Sequence, residues 1–313
     1  MRRFLLIAFL LAVCLLSAKV WPARFYDSSG EMLSLKEMTD RLCDYDVVFF
    51  GEWHGDQTLQ DLQVEVFDAL VKDKGPVILS LEMYERDQQT RLDSLSAGRL
   101  DYETFVGRDR TWPTLNHELM RHALEDGSYI LAANVPRRYA ARIAREGTDW
   151  LGELEFPERA LIADSLHVWP NEYQRRFYTT MTGSPELTDD LAPQMRAMMP
   201  RMFAAQCLKD DTMAMSIAHR IMLSSYYPTR VMHVCGEFHS SARLGTVSRL
   251  EARLPRLKIA VISPVAAIDE SYTLPEEARG EGDFLIVLPA PAPDEEAPRA
   301  HPMPGKKEAE DER

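Results

Sequence analysis

The sequence predicts an α/β protein: a mostly parallel central sheet flanked by helices, with an all-helical insertion between two half-related motifs. Three observations lead there. Short apolar runs rich in β-branched and aromatic residues alternate with amphipathic stretches along much of the chain, the pattern of βαβ units. The phrase Val47-Val48-Phe49-Phe50-Gly51-Glu52-Trp53-His54 is answered by Val231-Met232-His233-Val234-Cys235-Gly236-Glu237-Phe238-His239. Between the two, from about residue 150 to 227, helical periodicity persists and no good strand occurs.

Residues 1–20 stand apart from the fold. Arg2-Arg3 precede an apolar run from Phe4 to Leu16, as in an export signal, and the run is too short to read as a membrane span. Leu11-Ala12-Val13-Cys14 has the outline of a lipobox, so Cys14 is a candidate for lipid attachment; a cleaved soluble signal and an uncleaved anchor are the alternatives.

The first part of the core, 21–149, holds strand candidates at 47–50, 77–81 and 129–133. A helix is expected over 57–72, where Leu59, Leu62, Val66, Phe67 and Leu70 recur at helical spacing and Gly75-Pro76 end it. Further helices are expected over 116–125 and 137–146, the latter stopped by Gly147. The insertion spans 150–227. The second part of the core, 228–289, has strands at 231–235, 258–262 and 284–288 and a helix over 244–254. From 290 to 313, Pro-Ala repeats give way to Asp294-Glu295-Glu296 and a Lys/Glu mixture. Such a segment buries too little apolar surface to offset ordering, and disorder is expected.

With 313 residues and 45% hydrophobic content the chain can bury a sizeable core. Its net charge of −13 argues against nucleic acid as a partner, since phosphate binding needs clustered Lys and Arg. Beyond the signal only Cys43, Cys207 and Cys235 remain. No two form a CxxC pair, so buried free thiols are expected, and a disulfide is left open.

The chemistry-bearing residues fall at strand ends. In a parallel sheet, ligands and reacting groups collect at the carboxyl ends of the strands. Glu52 and His54 follow the first strand, Glu82 the second, Asn134 and Arg137 the third, Glu237 and His239 the fourth. Three carboxylates and two imidazoles facing one cleft could ligate a divalent metal, with His54, His239 and Glu82 as its ligands. They could equally serve as general acid and base. A Glu after Gly at one strand end is ordinarily a cap or a surface group, but capping does not explain a duplicated His. Asn134 also reads as a turn residue and Arg137 as an ion-pair partner. His233, inside a strand, reads as a core histidine, and His117 and His122 as solvent-facing. In the insertion, Met195, Met198, Met199, Met202, Met213 and Met215 cluster with Tyr173, Phe177, Tyr178 and His167. Met-rich surfaces suit flat apolar ligands, and Tyr, His and Met ligate haem iron; an ordinary helix–helix core has the same composition.

The order of these motifs resembles the ChaN-type haem-binding lipoproteins. The resemblance runs over about 42–265. It rests on the first phrase and its helix, Leu81-Glu82-Met83, Asn134-Val135-Pro136-Arg137, Asp210-Asp211-Thr212-Met213-Ala214, and the second Gly-Glu-Phe-His ahead of Gly245. That family sits in a superfamily with the Tiki proteases, TraB proteins and erythromycin esterases. The resemblance implies a sheet core with a helical insertion, and an exported, dimeric protein that binds haem and serves iron acquisition. It also implies paired G-x-x-H motifs at Gly51/His54 and Gly236/His239 with a central Glu82, positions that serve hydrolysis in the enzyme branches. For haem it points to Tyr and His near the insertion, here Tyr173, Tyr178 or His167. Two other readings stand beside haem binding: an exported hydrolase of esters or amides, and a non-catalytic metal-binding or scaffold module.

Overall fold

Strand alternation assigns the apolar residues to two layers. In the computed structural model, which describes residues 21–108, 116–224 and 230–290, Val48 and Phe50 face one side of β3 (Val47–Glu52) while Val47 and Phe49 face the other. The same alternation holds in β6 (Val231–Gly236), where Met232 and Val234 join the first layer and Val231 and Cys235 the second. A strand buried on both faces reads as a continuous apolar run, as both phrases do.

Among the described residues, eight strands form one sheet in the order β2-β1-β8-β7-β3-β6-β4-β5. Strands β3, β6, β4 (Ile78–Glu85), β5 (Ile130–Asn134), β7 (Ile259–Ala266) and β8 (Phe284–Leu288) pair in parallel. The short β1 (Arg24–Asp27) runs antiparallel to β8, and β2 (Met32–Leu33) antiparallel to β1. Neither β1 nor β2 stands out in the sequence, for each is too short to show a period.

The first layer is covered by α1 (Leu35–Leu42), α2 (Gln57–Lys74), α3 (Gln89–Ser96), α4 (Tyr102–Arg108) and α5 (His117–Glu125). Asp56 caps α2 by accepting from the Leu59 N–H at 2.9 Å, an interaction worth about 1 kcal/mol. The chain then crosses to the second layer, where α6 (Arg137–Glu146), α7 (Glu172–Thr182), α8 (Pro193–Leu223) and α9 (Gly245–Arg253) lie.

Helix α8 has 31 residues and so runs about 46 Å. It does more than the expected insertion would. Ala214, Ile217 and Ala218 from its second half pack with Val47, Phe49, Val231 and Val261, so this helix is the sheet's own cover. Its first half packs Met199, Phe203 and Cys207 against Tyr173, Phe177 and Tyr178 of α7. The methionines named in the sequence are therefore mostly core: Met199, Met213 and Met215 are buried, and Met195, Met198 and Met202 pack around the α7–α8 aromatic cluster. Cys43, Cys207 and Cys235 are free thiols. Among the described residues no helix is long and apolar enough to cross a membrane. The expected signal with Cys14 and the tail beyond 290 lie outside the described residues.

Candidate functional site

Because β6 lies between β3 and β4, the two phrases and Glu82 end side by side. Glu52, the last residue of β3, is buried on the α2 side. Its Oε1 accepts from His54 Nδ1 at 3.0 Å and its Oε2 from Gln63 Nε2 at 2.6 Å. Asn116 Nδ2 in turn donates to Gln63 Oε1 at 2.5 Å. A carboxylate can only accept, so Nδ1 of His54 carries a proton; in the neutral ring the lone pair is then on Nε2. Hydrogen bonding to Glu52 raises the His54 pKa above its ordinary value.

The His54 Nε2 faces the backbone of Gly236. A Cβ at Gly236 would lie 3.2 Å from that nitrogen, tighter than an ordinary contact, so glycine eases the close approach of the His54 ring. The Gly236 N–H donates to Glu82 Oε2 at 2.7 Å.

His239 is buried in a short 3-10 turn beyond β6. Its Nε2 lies 3.1 Å from Glu82 Oε1 and its Nδ1 2.7 Å from Asp210 Oδ1. With a carboxylate on each nitrogen, both carry protons and the ring is an imidazolium. Burial alone would lower its pKa; the Glu82 and Asp210 charges overcome this and raise it to about 10. Burial likewise pushes the Glu82 carboxyl up, but His239, His54 and Lys209 outweigh it and hold Glu82 well below the usual range. Asp210 also accepts from Thr246 Oγ1 at 2.8 Å and from the Tyr173 hydroxyl at 2.7 Å.

Glu237 leaves β6 on the other side. Its Oε2 accepts from Trp53 Nε1 at 2.9 Å, and burial raises its pKa. It borders a cavity of about 590 Å³ with Phe238, Leu244, Arg175, Arg176 and Glu281. The structure thus brings Glu52, His54, Glu82, Glu237 and His239 to one sheet edge. Arg137 stands further out: it opens α6 after the edge strand β5, exposed, and its backbone N–H meets Glu85. Asn134 behaves as a turn residue, its Oδ1 accepting from the Val135 N–H at 2.8 Å.

The divalent-metal expectation for His54, His239 and Glu82 is not supported. Among the described residues no group of three or more His, Cys, Asp or Glu is disposed to hold a metal ion. The donor atoms are turned toward one another: both His239 nitrogens and the Glu82 oxygens are already engaged in hydrogen bonds.

For a haem ligand the three candidates differ. Tyr173 is 2% exposed and its hydroxyl is committed to Asp210, while Tyr178 is buried in the α7–α8 cluster. His167 sits at the surface with its side chain 37% exposed. Its Nδ1 and backbone N–H both donate to the buried Asp211, at 2.8 and 2.7 Å. Trp169, 45% exposed, lies beside it with ring centroids 4.9 Å apart, and Val168 between them is 39% exposed.

Several participants have no site role assigned from the sequence. Asp210-Asp211 appear there only within a motif of the resemblance, and Gln63 not at all. Gln63 lies on the apolar stripe of α2, and Asp210-Asp211 lie between Cys207-Leu208 and Met213-Ala214, so polar groups at core positions are the available signal. Gln206 Nε2, which donates to the Tyr173 hydroxyl at 3.2 Å, and Lys209 carried no such mark.

The family model described as "Haem-binding uptake, Tiki superfamily, ChaN" matches residues 38–250. Among solved structures, the ChaN of Campylobacter jejuni, described as binding haem cofacially, is similar at 18% identity with a TM-score of 0.64, over 86% of this chain and 97% of that one. An erythromycin esterase in its open conformation aligns at 10% identity with a TM-score of 0.46, over 85% of this chain and 97% of that one. No curated protein matches the sequence. With the family model covering most of the chain, and the sheet topology and paired strand ends in place, the chain belongs to the ChaN family of haem-binding uptake proteins in the Tiki superfamily.

Proposed function

We propose that this protein binds haem and serves haem or iron acquisition, as an exported protein of the bacterial cell envelope. The single observation that carries this reading is the surface step His167-Val168-Trp169. It combines half-exposed apolar and aromatic surface with an imidazole whose Nδ1 proton is fixed, leaving Nε2 with no hydrogen-bond partner among the described residues. Such a step fits a flat apolar ligand carrying an iron centre: Val168 and Trp169 would supply the contact and His167 the nitrogen lone pair. Membership of the haem-binding family supports haem as that ligand. When bound, haem would supply iron for transfer. The protein's own part is to hold the ring face, orient the imidazole and keep water from the contact. Absorbance titration with haemin is the test. The same reading takes the protein as a homodimer and, through Cys14, as lipid-anchored; sedimentation with and without haemin and mass analysis of the mature N-terminus check these.

A second reading, hydrolysis of an ester or amide, is favoured by the two oriented imidazoles of the cleft. In its neutral form His54, with its proton held on Nδ1 by Glu52, has an Nε2 able to take a proton from water. The positive charge of the His239 imidazolium, held between Glu82 and Asp210, would stabilise negative charge developing on the substrate.

A further inference from the structure

Gln63 and Asn116 are buried amides, and both lead to the cleft. Gln63 sits on the inner face of α2 among Leu59, Leu62, Val66 and Phe67, where an amide is tolerated only if its hydrogen bonds are made. They are made on both sides. Its Nε2 donates to Glu52 Oε2 at 2.6 Å, and its Oε1 accepts from Asn116 Nδ2 at 2.5 Å. Asn116 is held at φ 61°, in the left-handed region that Asn enters more readily than most residues. The two amides have one workable orientation. Reversing Gln63 would set its Oε1 against a Glu52 oxygen and its NH₂ against that of Asn116. Donation therefore runs one way, from Asn116 to Gln63 to Glu52. His54 donates to the other oxygen of the same carboxylate, at 3.0 Å.

We propose that Gln63 is a positioning residue for His54: its donated hydrogen bond keeps Glu52 a carboxylate, which holds the ring proton on Nδ1 and presents the Nε2 lone pair to a substrate. Asn116 fixes the direction of that bond. This rests on the hydrolysis reading above. A donor on Oε2 favours the carboxylate over the carboxylic acid. The acid would turn its O–H to Nδ1 and leave the proton of the neutral ring on Nε2, where no base is then available. The His54 side chain is 40% exposed, so Nε2 can be reached from solvent. There it takes a proton from water as the water oxygen bonds to the carbonyl carbon. It returns that proton to the leaving oxygen or nitrogen as the ester or amide bond breaks, releasing an acid and an alcohol or amine.

The experiment uses the full chain, and ¹⁵N NMR of the imidazole reads the tautomer without any turnover. In wild-type protein, above the pH at which the His54 ring becomes neutral, Nδ1 should carry the proton and Nε2 should show the shift of a bare nitrogen. Gln63→Met keeps the volume and removes the donor. At the same pH it should move the proton toward Nε2. On a panel of p-nitrophenyl esters and p-nitroanilides its kcat should fall at least about 10-fold, with KM changed less than about twofold. A merely structural Gln63 would leave the tautomer where it is. Folded Gln63→Met with the wild-type tautomer overturns the proposal, and so does wild-type protein whose neutral His54 carries its proton on Nε2. If Gln63→Met does not fold, the wild-type Gln63 amide decides. Its proton bonded to Glu52 should resonate well downfield of its partner and exchange slowly; an ordinary pair of amide shifts overturns the proposal. Wild-type protein that turns over nothing in the panel, with the tautomer as expected, overturns the hydrolysis reading and the catalytic use of Gln63 with it.

Discussion

Trp53 and Glu237 tie the two repeated phrases together: the indole Nε1–H of one donates to the carboxylate Oε2 of the other across 2.9 Å. Each phrase places its Glu differently. Glu52 turns inward to orient its own histidine, and Glu237 turns across to the aromatic residue of the other phrase. The repetition in sequence therefore does not produce two equivalent half-sites.

Glu237 should titrate above an ordinary glutamate, because burial penalises its charged form more than Trp53 relieves it. The Trp53 indole resonance in a ¹⁵N-correlated NMR titration should report a midpoint above about 4.3, the ordinary Glu value. A midpoint at or below that value contradicts the assignment. Trp53→Phe should destabilise the protein by about 1–2 kcal/mol, since it removes a charge-assisted hydrogen bond from a half-buried site.

His239 should stay charged through neutral pH. Its folded pKa is raised to about 10 from an unfolded value near 6.5, so its contribution to stability is fully present below pH 6.5 and is lost as pH rises through about 10. Asp210→Asn removes one of the two bracketing carboxylates. Chemical denaturation at pH 7 should show a loss of about 3 kcal/mol or more, typical of breaking a buried pair. The variant should also lose less than wild type between pH 7 and 10. An alkaline loss identical to wild type would count against a charged His239.

His233 should make the fold acid-sensitive in the opposite sense. It is buried beside Phe49, its Nδ1 meets Ser80 Oγ at 2.9 Å, and its Nε2 has no partner among the described residues. Burial pushes its pKa down to about 4. The unfolded chain takes up this proton below about pH 6.5 and the folded chain only near 4, so stability falls as pH drops through that window. His233→Leu should flatten urea-denaturation midpoints between pH 6.5 and 4.5, recovering roughly 2–3 kcal/mol of the acid loss. Equal acid sensitivity in variant and wild type would sink this account.

Much of the cleft was legible because it is local. Each Gly-Glu-aromatic-His phrase announces a strand, its end and the side chains beyond it, and helix α6 is found where spacing and Gly147 put it. The partners that give those side chains their state were not legible as partners. Gln63 is presented by α2, Asp210 by α8 and Thr246 by α9, and no spacing rule links them to a strand end. The expected insertion hid the role of α8, whose apolar positions look alike whether they cover a sheet or another helix. The tyrosines illustrate the same limit: composition marked Tyr173, and only the fold shows its hydroxyl spent on Asp210. His233 was expected to be a core histidine, and it is; the missing partner for its Nε2 is a packing result.

If the cleft turns over an ester or amide, its two imidazoles act as one unit. His54→Ala and His239→Ala should then each cost nearly as much activity as the double variant, at least about 100-fold, in folded protein. Glu82→Gln should also fall, because the charge that holds His239 protonated disappears. Progress curves on an ester panel decide this. Turnover surviving all three substitutions would place the chemistry elsewhere and leave the repeated phrase as a device for ending two strands.

The haem reading meets its most direct test in a haemin titration of the purified chain followed through the Soret region. The account predicts a sharpened, shifted band that saturates at a defined stoichiometry and is lost or altered in His167→Ala. A spectrum that remains that of free haemin across the whole titration would contradict it.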